Sequence, residues 1–124
     1  MLEIGKSYTI EQVVTPEMTA RAIGSGGLEV FGTPFMMAMM EHAAMDCVQP
    51  DLPEGKGTVG VDIQSSHLAP TPVGMTVTCH SELVAVEGRK LTFNVGARDA
   101  EGLIGEGIHV RYIVDREKFM AKVK

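Results

Sequence analysis

The stretch from Thr33 to Val48, TPFMMAMMEHAAMDCV, constrains the fold more than any other part of the chain. Its spacing predicts one helix. Thr33 suits the N-cap, and Pro34 suits the first helical position, where a missing N–H costs nothing. Pro50 ends the run. His42 and Asp46, four residues apart, form one narrow polar seam. The rest is apolar almost all the way round and holds five of the nine methionines, most of them read as core filling. Such a helix is buried on most sides, beneath a sheet or other helices. Glu41 lies off the seam, with Met37, Ala38, Ala44 and Met45 one turn away. A buried carboxylate without a partner is costly, so Glu41 is expected to have a partner or a purpose.

A chain of 124 residues makes one domain with a real core, so residues 1–124 are read as a single unit. Sixteen acidic against eleven basic residues give a net charge of −5, which argues against a nucleic-acid surface. The basic residues of the tail, Arg111 to Lys124, alternate with Asp115 and Glu117 and read as a solvated helix face. Cys47 and Cys79 lack CxxC spacing and sit in apolar settings, as small core residues do in a reducing compartment. With no secretory pattern and no apolar run of about 20 residues, a cytoplasmic protein without a membrane segment is expected.

Ser7 to Val14 reads as a first strand and Thr19 to Ile23 as a second, short one. The glycine-rich piece Gly24-Ser25-Gly26-Gly27 cannot hold regular structure well. Leu28 to Phe31 leads into the helix. Four longer strands follow. Gly57 to Leu68 is expected to face Val59, Val61, Ile63, Ser65 and His67 inward. Met75 to Val86 shares one face among Met75, Val77, Cys79, Leu83 and Ala85. Lys90 to Arg98 turns Leu91, Phe93, Val95 and Ala97 inward. The last strand is expected to line the core with Ile104, Ile108, Val110, Tyr112 and Val114. A short helix from Asp115 to Lys124 ends the chain. The expected class is α+β, one antiparallel sheet wrapped around one long central helix. Its free edges and methionine-lined face call for a homodimer.

His67 is the first candidate for chemistry. It lies at the end of an inward face, on the side that packs on the helix, and a core-edge histidine bonded to a carbonyl is the plain alternative. Glu41 on the facing helix raises its interest, because a carboxylate and an imidazole in an apolar cleft suit acid–base work. Thr33 is the third candidate, since a capping hydroxyl can make a second hydrogen bond. His42 is expected to pair with Asp46, and His80 and His109 to lie on the polar sides of their strands. No His, Cys or carboxylate set has metal-ligand spacing, so no metal is expected. The glycines at 24–27 fit neither a P-loop nor a dinucleotide fingerprint. There is no GxSxG elbow.

Four fragments, VFGTP (30–34), EHAA (41–44), TVGVDIQSSHLAPTPVG (58–74) and GEGIHVRYIVDREKF (105–119), stand in an order and spacing that resemble the fluoroacetyl-CoA thioesterase family. The resemblance covers nearly the whole chain. It implies a hot-dog fold, a homodimer or higher assembly, and hydrolysis of a small or medium acyl-CoA, with coenzyme A part of the substrate and no separate cofactor. The family's catalytic threonine, glutamate and histidine fall on Thr33, Glu41 and His67, and a glycine near the thioester carbonyl falls on Gly60. Arg111 matches an arginine of the family's last strand, and its role is left open. The family's phenylalanine lid over the acyl group falls on Gly24 to Gly27, which carry no aromatic, so fluoroacetyl selectivity is not expected. The rival reading is a non-catalytic acyl-CoA-binding domain that uses the same cleft as a sensor. A third, a hot-dog hydratase, lacks its Asp/His motif.

Overall fold

The structure, a computed structural model, describes residues 2–123. Strands β1 (Ser7–Val13), β2 (Lys56–His67), β3 (Thr76–Glu87), β4 (Lys90–Asp99) and β5 (Gly102–Asp115) form one antiparallel sheet in the order β1-β3-β4-β5-β2. Helix α1 (Thr33–Val48) lies on one face of the sheet, and the short α2 (Arg116–Ala121) follows β5. Asp115 caps α2, its carboxylate accepting the Lys118 backbone N–H at 3.0 Å. The α+β expectation and the single long helix hold. The expected strand at Thr19–Ile23 does not form. Those residues make turns, and Thr19 and Phe31 meet only in an isolated bridge.

Residue Gly32, not Thr33, is the N-cap of α1. The distinction matters, because the Thr33 hydroxyl caps nothing and is free to face the sheet. One face of α1 buries Met36, Met39, Met40, Ala43, Ala44, Cys47 and Val48. They pack with Val77, Cys79 and Leu83 of β3 and Leu91, Phe93, Val95 and Ala97 of β4. The opposite face is open: Thr33, Pro34, Ala38 and His42 are exposed, and Met37, Glu41 and Met45 are half-buried. The expectation of cover on most sides therefore holds for one side only. The His42–Asp46 pair forms as expected, at 3.1 Å.

Bulges reset the strand phases that simple alternation predicts. The register between β4 and β5 shifts at Ala97/Arg98, leaving Ile104 as an extra residue on β5. A one-residue slip exchanges the two faces of everything beyond it. Ile104 is buried as expected, but Ile108 and Tyr112 are half-exposed on the outer face, while His109 and Arg111 are buried. A second bulge, between Gly60 and Asp62, does the same to β2. Ile63, Ser65 and His67 keep their inward phase, whereas Val59 pairs with outward Tyr112 and Val61 is exposed. A third, between Leu83 and Ala85, pairs Ala85 with Thr92 on the outer side of β4. The inner floor beside α1 therefore consists of Gly60, Ile63, Ser65 and His67 of β2 and Gly105, Gly107, His109 and Arg111 of β5.

Candidate active site

The first residue of α1 and the last of β2 meet beneath the start of the helix. Thr33 Oγ1 lies 2.7 Å from His67 Nδ1, the distance of a strong hydrogen bond. The His67 ring stands edge-on to buried Phe31, with centroids 6.3 Å apart. Burial lowers the His67 pKa from its ordinary 6.5, with a smaller opposing pull from the Ala69 backbone. A neutral ring at pH 7 follows. Its Nε2 is buried and meets hydrogen-bond geometry with no described residue, and neither does Ser65 Oγ two residues back on the same face. A cavity of about 290 Å³ opens here, lined among others by Thr33, His67, Phe31, Ala20 and Ser25. An imidazole that lines a cavity and keeps one ring nitrogen free of protein partners suits a proton-transfer group.

Glu41, two turns further along α1, sits over Gly60 at another opening, which it lines with Gly60, Ile63 and His109. A Cβ at residue 60 would stand 2.9 Å from Glu41 Oε2, 3.1 Å from His109 Cε1 and 3.2 Å from Arg111 Nη1. Only glycine lets the carboxylate rest on the strand there. Beneath it lies the Arg111 guanidinium, 6% exposed. Its Nε donates to Thr58 Oγ1 at 2.8 Å and its Nη2 to the Thr58 carbonyl at 2.9 Å. Its Nη1 lies 3.2 Å from His109 Nε2 and 3.9 Å from Glu41 Oε2. Because a guanidinium only donates, His109 Nε2 accepts, and its Nδ1–H donates to the Asp62 carbonyl at 2.7 Å. Burial lowers the His109 pKa most; the hydrogen bond to the Asp62 carbonyl opposes it, and Arg111 lowers it further against weaker pulls from the Glu41 and Asp62 charges. This ring is a fixed neutral tautomer.

Thr33 and His67 are thus brought together as expected. Glu41 and His67 are not, because eight residues of helix separate Thr33 from Glu41, about 12 Å at ~1.5 Å per residue. Glu41 has Arg111 as its ionic partner, and its side chain is 43% exposed rather than dry. His80 is exposed on the outer face as expected, but His109 is not. Sequence reasoning missed His109 and the orientation of Arg111. The available signal was the run GEGIHVR, whose odd positions are two glycines followed by the two polar residues, a face too small and polar for core. Among the described residues no group of three His, Cys, Asp or Glu is placed to hold a metal, and no helix is long and apolar enough to cross a membrane.

A single antiparallel sheet on one long helix, with polar groups at the helix start and on the strands below, is the hot-dog architecture. A hot-dog-like protein from Thermanaerovibrio acidaminovorans superposes with a TM-score of 0.88 at 26% identity, over 96% of this chain and 88% of that one. The chain belongs to the fluoroacetyl-CoA-specific thioesterase family, whose sequence model matches residues 14–117. It is 40% identical to the fluoroacetyl-CoA thioesterase of Streptantibioticus cattleyicolor, over 99% of this chain and 93% of that protein. A crystal structure of a phenylalanine-to-alanine variant of a fluoroacetyl-CoA-specific thioesterase superposes with a TM-score of 0.93, over 99% of this chain and 96% of the other. A Thermus thermophilus member of the thioesterase superfamily, 32% identical over 98% of this chain and 90% of its own, gives 0.90.

Proposed function

We propose that the protein hydrolyses the thioester of a small or medium acyl-CoA at a cleft completed by a second copy of the chain. The observation that carries this reading is the Thr33–His67 contact at the wall of a cavity beside the helix start, with His67 Nε2 left unpaired among the described residues. The relatives supply the reaction class: a fluoroacetyl-CoA-specific thioesterase variant has been crystallised with fluoroacetate and CoA. Coenzyme A enters as part of the substrate, and no separate cofactor is invoked.

The two halves of the site fit one two-fold axis. Thr33 stands over His67 and Glu41 over Gly60, so α1 runs along β2 in the opposite sense, and the middle of 33–41 lies over the middle of 60–67. A two-fold axis there, near Met37, sets Glu41 and Gly60 of one copy beside Thr33 and His67 of the other. The open face of α1 and the free edge of β2 are the surfaces that such pairing covers. In this arrangement the thioester carbonyl lies between the half-sites. Glu41 attacks it, or removes a proton from the attacking water. The neutral His67 shuttles the proton that the thiol leaving group finally takes, with Thr33 fixing its ring. A backbone N–H near Gly60 supports the oxyanion; such a donor is typically worth ~10²–10³ in rate. The two routes for Glu41 differ in product: a glutamyl anhydride opened by water at the Glu41 carbonyl places solvent ¹⁸O in that side chain after a single turnover, and a general base does not.

No aromatic side chain covers the cavity at 24–27, which favours acyl groups larger than fluoroacetyl. The two free, buried thiols, Cys79 pushed up to about 12 by burial, suit a reducing compartment such as the cytoplasm. Thiol release by the purified protein across short, branched, aryl and medium acyl-CoAs tests the reading. Turnover of at least one class that is lost in Glu41→Gln is expected. Tight acyl-CoA binding without thiol release from any of them would establish a sensor domain instead.

A further inference from the structure

Resting on the thioesterase reading above, we infer that Arg111 and His109 are positioning residues: His109 props the buried guanidinium so that Arg111 holds the Glu41 carboxylate over Gly60. The wiring has one direction. Asp62's carbonyl fixes the His109 tautomer, the ring's Nε2 takes one Nη1–H of Arg111, and Thr58 takes Nε and Nη2. That leaves Nη1 as the part of the guanidinium that faces Glu41. Every other charged or titratable group near Arg111 is accounted for. On β5 and β2 these are neutral His109 and the outward Asp62, and from α1 Glu41 is the one carboxylate in ion-pair reach among the described residues.

A structural role alone does not explain the arrangement. A buried cation is a poor way to fill space, since apolar side chains of similar volume serve as well or better. Here the cost is met by two side chains and a carbonyl, and Gly60 is left without a Cβ so that the anion can approach. The whole cluster converges on one carboxylate oxygen, on the half-exposed side of the helix where substrate would arrive.

The test compares His109→Leu with His109→Gln, and Arg111→Met with Arg111→Lys, by crystal structure and by acyl-CoA kinetics. His109→Gln keeps an acceptor for Arg111, and His109→Leu removes it at similar volume. In His109→Leu and Arg111→Met the Glu41 carboxylate is expected to leave Gly60, with kcat down ~10-fold or more and KM within about three-fold. His109→Gln is expected to recover most of that loss, and Arg111→Lys little of it, because a point charge cannot make the forked contacts. A carboxylate unmoved in His109→Leu, equal turnover in the two His109 variants, or a loss confined to KM would each overturn the inference. Should Arg111→Met fail to fold, the His109 pair, which keeps the guanidinium, decides the matter. Should the wild type release no thiol, the thioesterase reading falls, and the carboxylate's position in the two His109 crystals still decides whether the strut exists.

Discussion

Mixing two inactive variants gives the sharpest check on a site shared between copies. His67→Ala removes one half-site and Glu41→Gln removes the other. Within one chain the two halves are separated by eight residues of helix, about 12 Å, which is too far for one group to act on the other's bound carbonyl without a long substrate between them. If each site takes Thr33 and His67 from one copy and Glu41 and Gly60 from the other, both homodimers are dead at both sites. A mixed dimer concentrates both lesions in one site and leaves the other intact. Random pairing of equal amounts makes half the dimers mixed, each with one working site of two, so about a quarter of wild-type turnover returns. The assay is thiol release from the two variants co-expressed with different tags, compared with each alone, and a tandem purification that isolates the mixed species should raise recovery to about half. The background is low, because loss of a general base typically costs ~10²–10⁴ in rate. Mixed dimers no more active than the separate variants, with dimer exchange shown by the tags, would refute the shared site and place all three groups in one chain.

Glu41→Gln alone should keep the fold: at 43% exposure and 3.9 Å the pair with Arg111 is heavily screened, so about 1 kcal/mol or less is lost, about 4 °C in Tm, against a rate loss of ~10²–10⁴. Thermal melts beside a thiol assay separate the two, and turnover within a few-fold of wild type would remove Glu41 from the chemistry. Gly60→Ala should displace the flexible carboxylate, the nearest atom to the new Cβ, rather than the backbone, and reduce kcat by ~10²-fold in an otherwise folded protein. Half-buried His67 and buried His109 both have folded pKa values below the unfolded 6.5, so the unfolded chain binds more protons and stability should fall as the pH drops below about 6.5. Denaturant melts from pH 8 to 5 should show this loss before the carboxylates titrate, and His109→Gln should reduce it. With no aromatic lid, fluoroacetyl-CoA should be preferred to acetyl-CoA by well under ~10³, about 4 kcal/mol in transition-state terms, as competition assays would measure.

Much of the fold was legible because its strongest signal is local. The proline at residue 34, the apolar run and Pro50 bound α1 to the residue, and the pure alternation of β4 left no choice of face. Thr33 and His67 were legible for the same reason, since each stands at an element's end with its direction set within a few residues. The failures of strand phase share one cause. Alternation is counted from an anchor, and a bulge between anchor and site inverts the count without leaving a mark in composition. Counting from Ile104 put Ile108, Val110 and Tyr112 inside, and counting back from His67 did the same for Val61 and Val59. The partner of Glu41 was therefore sought on the wrong residue. Hydrophobicity could not correct the count, because the outer face of β5 is more apolar than its inner one. The missing strand at Thr19–Ile23 failed differently. Its backbone bonds go to Leu28, Val30 and its own turn, so β-forming side chains there were outvoted by loop closure.

The unequal halves of the sheet explain why such an inversion is tolerated. On β3 and β4 the inner face is Val77, Cys79, Leu83, Leu91, Phe93, Val95 and Ala97, with one satisfied hydroxyl, Ser81, which donates to the Ala43 carbonyl; all are nearly or wholly buried under α1. On β5 and β2 it is largely glycine, serine, histidine and arginine, with Ile63, Ile104 and Ile113 the apolar exceptions. The helix is therefore anchored along one flank and spans a polar gap along the other. Gly105 of β5 marks the boundary between the two: a Cβ there would reach the Met36 sulfur at 2.5 Å, so the missing side chain lets the helix start settle against β5. Hydrophobic burial on the β3–β4 side supplies the stability, which frees the β2–β5 side to hold an ionised pair, an unpaired imidazole nitrogen and an unpaired hydroxyl that a core would reject. The polar flank is also the one bordered by the free edge of β2. In the proposed dimer, a second copy arriving there would cover the open helix face and dry the cleft in one step, which would couple assembly to the chemistry rather than add it afterwards.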